Sequence, residues 1–207
     1  MRKVKVKICG ITREEDLAVA VAAGADAVGF IVGVDSSPRN LTLEKAEKLI
    51  SKVPIFVDSV AVTVTNNINS LTKIYEKLKP DILQIHGENL SEASIIREKI
   101  PDTPLIKALY MKTGNVIKDA MEASNSFDAI LLDSFVPGKY GGTGMVHDLE
   151  MSKQVKKTIE PKPLILAGGL KPENVKDAIH IVQPYAVDVS TGVESHPGNK
   201  DSRKVFE

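Results

Sequence analysis

Eight short apolar runs alternate along the chain with stretches in which apolar residues recur at helical spacing. The runs cover residues 4–9, 27–32, 55–62, 82–86, 105–110, 129–133, 164–167 and 186–190. Each is short and β-rich enough to predict a strand. Between them, Leu43, Ala46, Leu49 and Ile50 form one stripe at the 3.6-residue period. Ile68, Leu71, Ile74, Tyr75 and Leu78 form a second, and Val175, Ala178, Ile179 and Val182 a third. Weaker stripes run through Leu17, Ala20 and Val21 and through Val116, Ile117, Ala120 and Met121. The pattern is strand, helix, strand, helix, repeated in structure and not in sequence.

The punctuation agrees. Thr12 and Glu15 have the spacing of a capping box at the start of the first helix. Pro172 suits a first helical turn, and Pro54, Pro104 and Pro163 stand ahead of strands. No Gly/Ser/Pro-rich linker or low-complexity segment divides the chain, so residues 1–207 are expected to form a single domain. Eight strands alternating with helices predict an α/β fold of the (β/α)8, or TIM-barrel, type. The rival is an open doubly wound sheet, which often carries a glycine fingerprint after its first strand. Here that turn reads Cys9-Gly10-Ile11-Thr12, without the fingerprint. Only residues 201–207 remain for the eighth helix, which is expected to be stubby or to lack a piece of the natural protein.

Composition narrows the classes further. Hydrophobic residues make up 43% and charged residues 26%, an ordinary globular balance. With 27 basic and 27 acidic residues the net charge is zero, which argues against a sequence-independent nucleic-acid binder. A lone cysteine makes no intrachain disulfide, so nothing points to an oxidising compartment. The N-terminus alternates charged and apolar residues as a strand does, unlike a signal peptide. The most apolar stretch, 17–34, contains Asp26 and three glycines, which argues against a membrane span. A cytoplasmic location is the default.

Three strand ends carry candidate chemistry, because side chains at the exit ends of parallel strands face the ligand in such folds. Cys9 closes the first run, where a following helix start at Arg13 would favour a thiolate; the plain alternative is a small buried hydrophobe. Asp133 closes the sixth. Limited solvation there would raise its pKa towards that of a general acid, whereas an ordinary helix cap or loop carboxylate would do nothing of the kind. After the seventh run come Gly168 and Gly169, and after the eighth Ser190, Thr191 and Gly192. Two such loops side by side suit a phosphate, though either could be a tight turn that merely needs glycine. A glycine-rich stretch at 138–144 lacks a P-loop ending and is either a lid or a plain loop. Among the histidines, His86 ends the fourth run and could line the pocket, His180 sits in a helical stretch at the surface, and none has metal-ligand spacing. Arg39, after the second run, could pair with a substrate carboxylate or stand solvated in its loop.

The same residues resemble a known family. Lys7-Ile8-Cys9-Gly10-Ile11-Thr12, Gly29-Phe30-Ile31 with Ser37-Pro38-Arg39, Gln84-Ile85-His86-Gly87 and Leu131-Leu132-Asp133 follow one another as they do in phosphoribosylanthranilate isomerases of tryptophan biosynthesis. So do Gly141-Gly142-Thr143-Gly144, Ala167-Gly168-Gly169-Leu170, the segment from Asp188 to Glu194, and Pro197-Gly198 with Lys200-Asp201. The resemblance implies a barrel with no metal or organic cofactor. It implies conversion of N-(5'-phosphoribosyl)anthranilate to 1-(2-carboxyphenylamino)-1-deoxyribulose 5-phosphate by an Amadori rearrangement. In that scheme Asp133 is the general acid that opens the sugar ring and Cys9 the general base that takes the C2 proton. Arg39 would hold the anthranilate carboxylate, Gly168, Gly169, Ser190 and Thr191 the phosphate, and His86 and Asp188 would line the sugar site. The partner implied is a small phosphorylated substrate, with neither nucleic acid nor membrane, acted on by a monomer or homodimer.

Two positions depart from the family pattern. Val146-His147-Asp148-Leu149 stands where an aromatic-Asp-Trp segment is frequent, and Thr191 replaces a frequent serine but keeps a hydroxyl. Other readings remain: an indoleglycerol-phosphate synthase, for which Lys107 would be the lysine candidate; a metal-dependent sugar-phosphate epimerase; or a barrel that binds phosphorylated ligands without turning them over.

Overall fold

The computed structural model describes residues 3–65, 67–87, 93–111, 115–134 and 148–207. The glycine-rich stretch 138–144 and the departure at Val146 and His147 lie outside the described residues. Eight parallel strands form the core: β1 (Lys5–Cys9), β2 (Ala27–Val32), β3 (Asp58–Val64), β4 (Ile82–His86), β5 (Leu105–Tyr110), β6 (Ala129–Asp133), β7 (Leu164–Ala167) and β8 (Ala186–Val189). Each pairs with its sequence neighbours, and β1 pairs with both β2 and β8, so the sheet closes on itself. The helices α1 (Glu14–Ala22), α2 (Leu43–Ile50), α3 (Ile68–Leu78), α4 (Ala93–Lys99), α5 (Val116–Ser124), α6 (Leu149–Ile159), α7 (Pro172–Val182) and α8 (Ser202–Phe206) follow the strands in turn. The fold is a (β/α)8 barrel.

Strand alternation sorts the core into two shells. Side chains such as Val28, Phe30, Leu83, Ile130 and Leu132 point outward and join the helix stripes, from which Ala46, Leu49, Leu71 and Ala178 are buried. The alternate positions, among them Ile106, Ala108, Leu131 and Ile165, fill the barrel. A strand buried on both faces reads as a continuous apolar run, which is why the runs are visible in the sequence.

Several details differ from the expectations, among them the first strand, which begins at Lys5 and not at residue 4. The third strand begins at Asp58, not at residue 55: Ile55 and Phe56 are 82% and 94% exposed in the preceding turn, where Phe56 has φ 74°. Apolar character alone extends the strand into that turn. The first helix has no capping box. Its N-cap is Arg13, without a side-chain cap, and the Thr12 hydroxyl instead donates to the Gly198 carbonyl at 2.6 Å. The eighth run loses Ser190, which leaves the strand to enter a short 3-10 turn at Thr191–Val193. The last helix is short, as expected: five residues, capped by Asp201.

Candidate active site

Cys9 ends β1 and packs inside the barrel with Val60 and Val62. Lys7, two residues earlier, shares that interior face. The residue opposite Cys9 on β2 is Gly29. A Cβ there would stand 2.7 Å from the Cys9 sulfur and 3.1 Å from Lys7 Cε, so glycine makes the room that both side chains occupy. Lys7 is only 4% exposed; its ammonium donates to Gln84 Oε1 at 2.7 Å and to Asp188 Oδ2 at 3.0 Å. Burial opposes the charge, yet Asp188 and Cys9 hold the Lys7 pKa above its ordinary value. The thiol is pushed up by burial, against a pull from Lys7, with Asp188 pushing further and Lys200 pulling back.

Asp133 ends β6 between Tyr110 of β5 and Ala167 of β7. Burial, reinforced by the nearby Asp188, pushes its pKa to about 7. A carboxyl so placed keeps its proton close to neutrality and can donate it. Gly168 has φ 85°, and a Cβ there would run into the Asp133 carboxyl and Ser134, so this glycine lets the β7 loop close over the acid. Asp188 Oδ1 is buried without a hydrogen-bond partner. By strand alternation Cys9 and Lys7 of β1, Asp133 of β6 and Asp188 of β8 all take inward positions of the one barrel, with Lys7 bonded to Asp188.

The loops after β7 and β8 meet beside it. Gly192 packs against the Leu170 carbonyl too closely for any side chain. Asn174, in the first turn of α7, donates to the Gly169 carbonyl at 2.9 Å and accepts from Lys171 N–H. Ser190 Oγ is buried and unpartnered, 2.9 Å from where a Cβ on Gly10 would be. Gly168, Gly169, Ser190 and Thr191 are thus brought together, next to the N-terminus of α7.

On the β1–β2 side three buried charges interlock. Arg39, 7% exposed, gives Nε and Nη2 to the two carboxylate oxygens of Glu194 at 2.8 and 2.5 Å, and Nη2 reaches Thr191 Oγ1 at 3.4 Å. Lys200 donates to Glu194 Oε1 at 3.0 Å, to the Cys9 carbonyl at 2.5 Å and to the Ser190 carbonyl at 3.3 Å. Burial works against the Glu194 charge, but its bonds from Arg39 and Lys200 keep its pKa below the usual range.

Residues 6–207 match the family described as N-(5'-phosphoribosyl)anthranilate (PRA) isomerase. An N-(5'-phosphoribosyl)anthranilate isomerase of Methanosarcina acetivorans is 47% identical, over 98% of this chain and 90% of its own length. The phosphoribosyl anthranilate isomerase of Thermotoga maritima superposes with a TM-score of 0.87 at 34% identity, covering 99% of this chain and 96% of that one. A phosphoribosyl anthranilate isomerase in complex with reduced 1-(o-carboxyphenylamino)-1-deoxyribulose 5-phosphate superposes with a TM-score of 0.83 at 33% identity, covering 99% and 95%. The chain belongs to the phosphoribosylanthranilate isomerase family. It is an isomerase of tryptophan biosynthesis.

Within this phosphoribosylanthranilate isomerase barrel, His86 is tied down on both ring nitrogens, Nε2 to the Gln84 amide at 2.9 Å and Nδ1 to the Tyr110 hydroxyl at 3.1 Å. Burial, with Lys7 and Lys107 nearby, lowers its pKa to about 3, so the ring is neutral. Lys107, the lysine that a synthase would need, points the other way. Ile106 and Ala108 face the barrel, so Lys107 faces the helices and donates to the Gly87 carbonyl. His180 and His196 are exposed. Among the described residues no group of three or more His, Cys, Asp or Glu side chains could hold a metal ion. Sequence reasoning gives no role to Lys7, Gln84, Glu194 or Lys200. The last two stand 155 and 161 positions from Arg39, and nothing local announces their pairing.

Proposed function

We propose that Asp133 and Cys9 divide the isomerisation between them as acid and base. Asp133, holding its proton near neutral pH, protonates the furanose ring oxygen of N-(5'-phosphoribosyl)anthranilate. The ring opens to an iminium. Cys9, as thiolate, removes the C2 proton; the electron pair moves into the iminium, which is itself the electron sink. The enolamine then tautomerises to the ketone of 1-(2-carboxyphenylamino)-1-deoxyribulose 5-phosphate. Both steps are proton transfers, the chemistry that a buried carboxyl and a buried thiol can do. The observation that carries this reading is that Cys9 and Asp133 stand at inward positions at the C-terminal ends of β1 and β6 of one closed barrel.

The other contacts follow from the placement. Gly168 and Gly169 offer backbone N–H groups, Ser190 a free hydroxyl and Thr191 a shared one, to a phosphate at the N-terminus of α7. Arg39 has Nη1 left for the anthranilate carboxylate, its other donors being spent on Glu194 and Thr191. Asp188 Oδ1 is open to a sugar hydroxyl, and His86 lines the same side. No helix is long and apolar enough to cross a membrane among the described residues; a cytoplasmic enzyme with one buried thiol fits this reading. The test is a fluorescence assay of freshly prepared phosphoribosylanthranilate with the purified protein. Catalysed consumption supports the assignment, and a rate no greater than the spontaneous decay contradicts it.

A further inference from the structure

Lys7 is a buried ammonium at the centre of the cavity to which the proton transfers above assign no part. It is fixed at both sides, by Gln84 from β4 and Asp188 from β8, and stands beside the Cys9 sulfur in the space that Gly29 leaves. A lysine with four rotatable bonds, pinned by two acceptors, presents its charge at one point. The groups that face the sulfur are few. Lys7 comes from β1 itself, Asp188 from β8, Arg39 from the loop after β2 and Lys200 from the segment after Glu194, while β2 and β3 offer glycine and apolar side chains. Asp133 and the neutral His86 complete the ring around Lys7. Lys200 is already shared among Glu194 and two backbone carbonyls, and Arg39 is matched by Glu194.

We propose that Lys7 is a positioning residue for the base: its fixed ammonium is the counter-charge against which Cys9 loses its proton and holds the resulting sulfur anion toward the sugar C2. The inference rests on the reading of Cys9 as base. Asp188 has a matching part, holding Lys7 in place while its second oxygen stays free for substrate.

The direct test titrates Cys9, the chain's single cysteine, by its thiolate ultraviolet absorbance in the native protein and in Lys7→Met, together with the pH profile of kcat/KM. On the acid side of the Asp133 titration the acid is fully protonated, so the rate follows the thiolate fraction alone. Lys7→Met should move the thiol titration to a pH higher by about one or more. On that acid limb kcat/KM should then fall about tenfold for every whole pH step by which the thiol titration has risen. Binding of the reduced product analogue should change less than about threefold, since the lost interaction is one of the transition state. Lys7→Met leaves Asp188 buried without its partner, so Lys7→Met/Asp188→Asn guards against a misfolded single variant. Lys7 stands directly beside the sulfur in the space at Gly29, and Asp188 is bonded to Lys7, so the double variant should still titrate higher than native, by a smaller margin. An unmoved thiol titration in whichever variant folds, or a moved titration with a native acid limb, overturns the role of Lys7. Full activity in Cys9→Ala would instead overturn the assignment of the base, whatever Lys7 does.

Discussion

Two arcs of the barrel interior present opposite surroundings to the cavity. From β5 through β7 the inward side chains are Ile106, Ala108, Leu131, Ile165 and Ala167, and the acid they surround is Asp133. From β8 across β1 to β4 the inward side chains include the polar set Asp188, Lys7, Cys9 and Gln84, backed by Arg39, Glu194 and Lys200. An apolar wall penalises a charge, so Asp133 keeps its proton up to about pH 7. On the charged wall burial holds the thiol's pKa up, and Lys7 and Lys200 pull against it. On the division of roles proposed above, the apolar side keeps the acid protonated and the cations of the other side lower the cost of charging the base.

The comparison can be broken most sharply at the apolar wall. Asp133→Asn should lower kcat by about 10²–10⁴-fold in a steady-state assay, as expected for loss of a general acid. It should also stabilise the protein at high pH. The folded pKa of about 7 lies above the unfolded value. The native fold therefore binds the extra proton, and its stability is greatest below the unfolded pKa and declines as pH rises through about 7. The asparagine removes that decline, which denaturant melts at acid and alkaline pH will show.

The charged wall is tested by Glu194→Ala, which strands Arg39 and Lys200 in the interior. Removing one member of a buried ion pair costs about 3–5 kcal/mol, to be read from urea unfolding. Leu131→Ala is the mildest of the three. It should cost roughly 2–5 kcal/mol by cavity formation. Water admitted below Asp133 should also move the pH at which the acid limb of kcat/KM levels off downward from about 7. An unmoved limb would mean that the apolar wall does not set the acid's pKa.

These two walls are unequally legible in the sequence. The apolar one is open to view: the runs at Ile82–His86, Leu105–Tyr110, Ala129–Asp133 and Leu164–Ala167 coincide with the strands to the residue, since burial on both faces leaves no polar interruption. Asp133 stands out for the same reason, as the first charge after such a run. The charged wall is hidden. In the first strand Lys5 and Lys7 alternate with valines as they would on a solvated face, and Lys5 does lie exposed against Asp26. Lys7, on the same face one pleat higher, is buried, because closure of the barrel turns that face inward there. Arg39 reads as a lone fork seeking a carboxylate. Its partner Glu194 becomes visible only when the chain has closed the ring. Thr12 misleads for a local reason, since its hydroxyl has a better acceptor in Gly198, far along the chain.

The most direct measurement is the turnover of Cys9→Ala with phosphoribosylanthranilate, set beside its affinity for the reduced deoxyribulose phosphate product. The expected result is a fall in kcat of about 10²–10⁴-fold with affinity close to native. Turnover near the native rate would contradict the division of the reaction between sulfur and carboxyl.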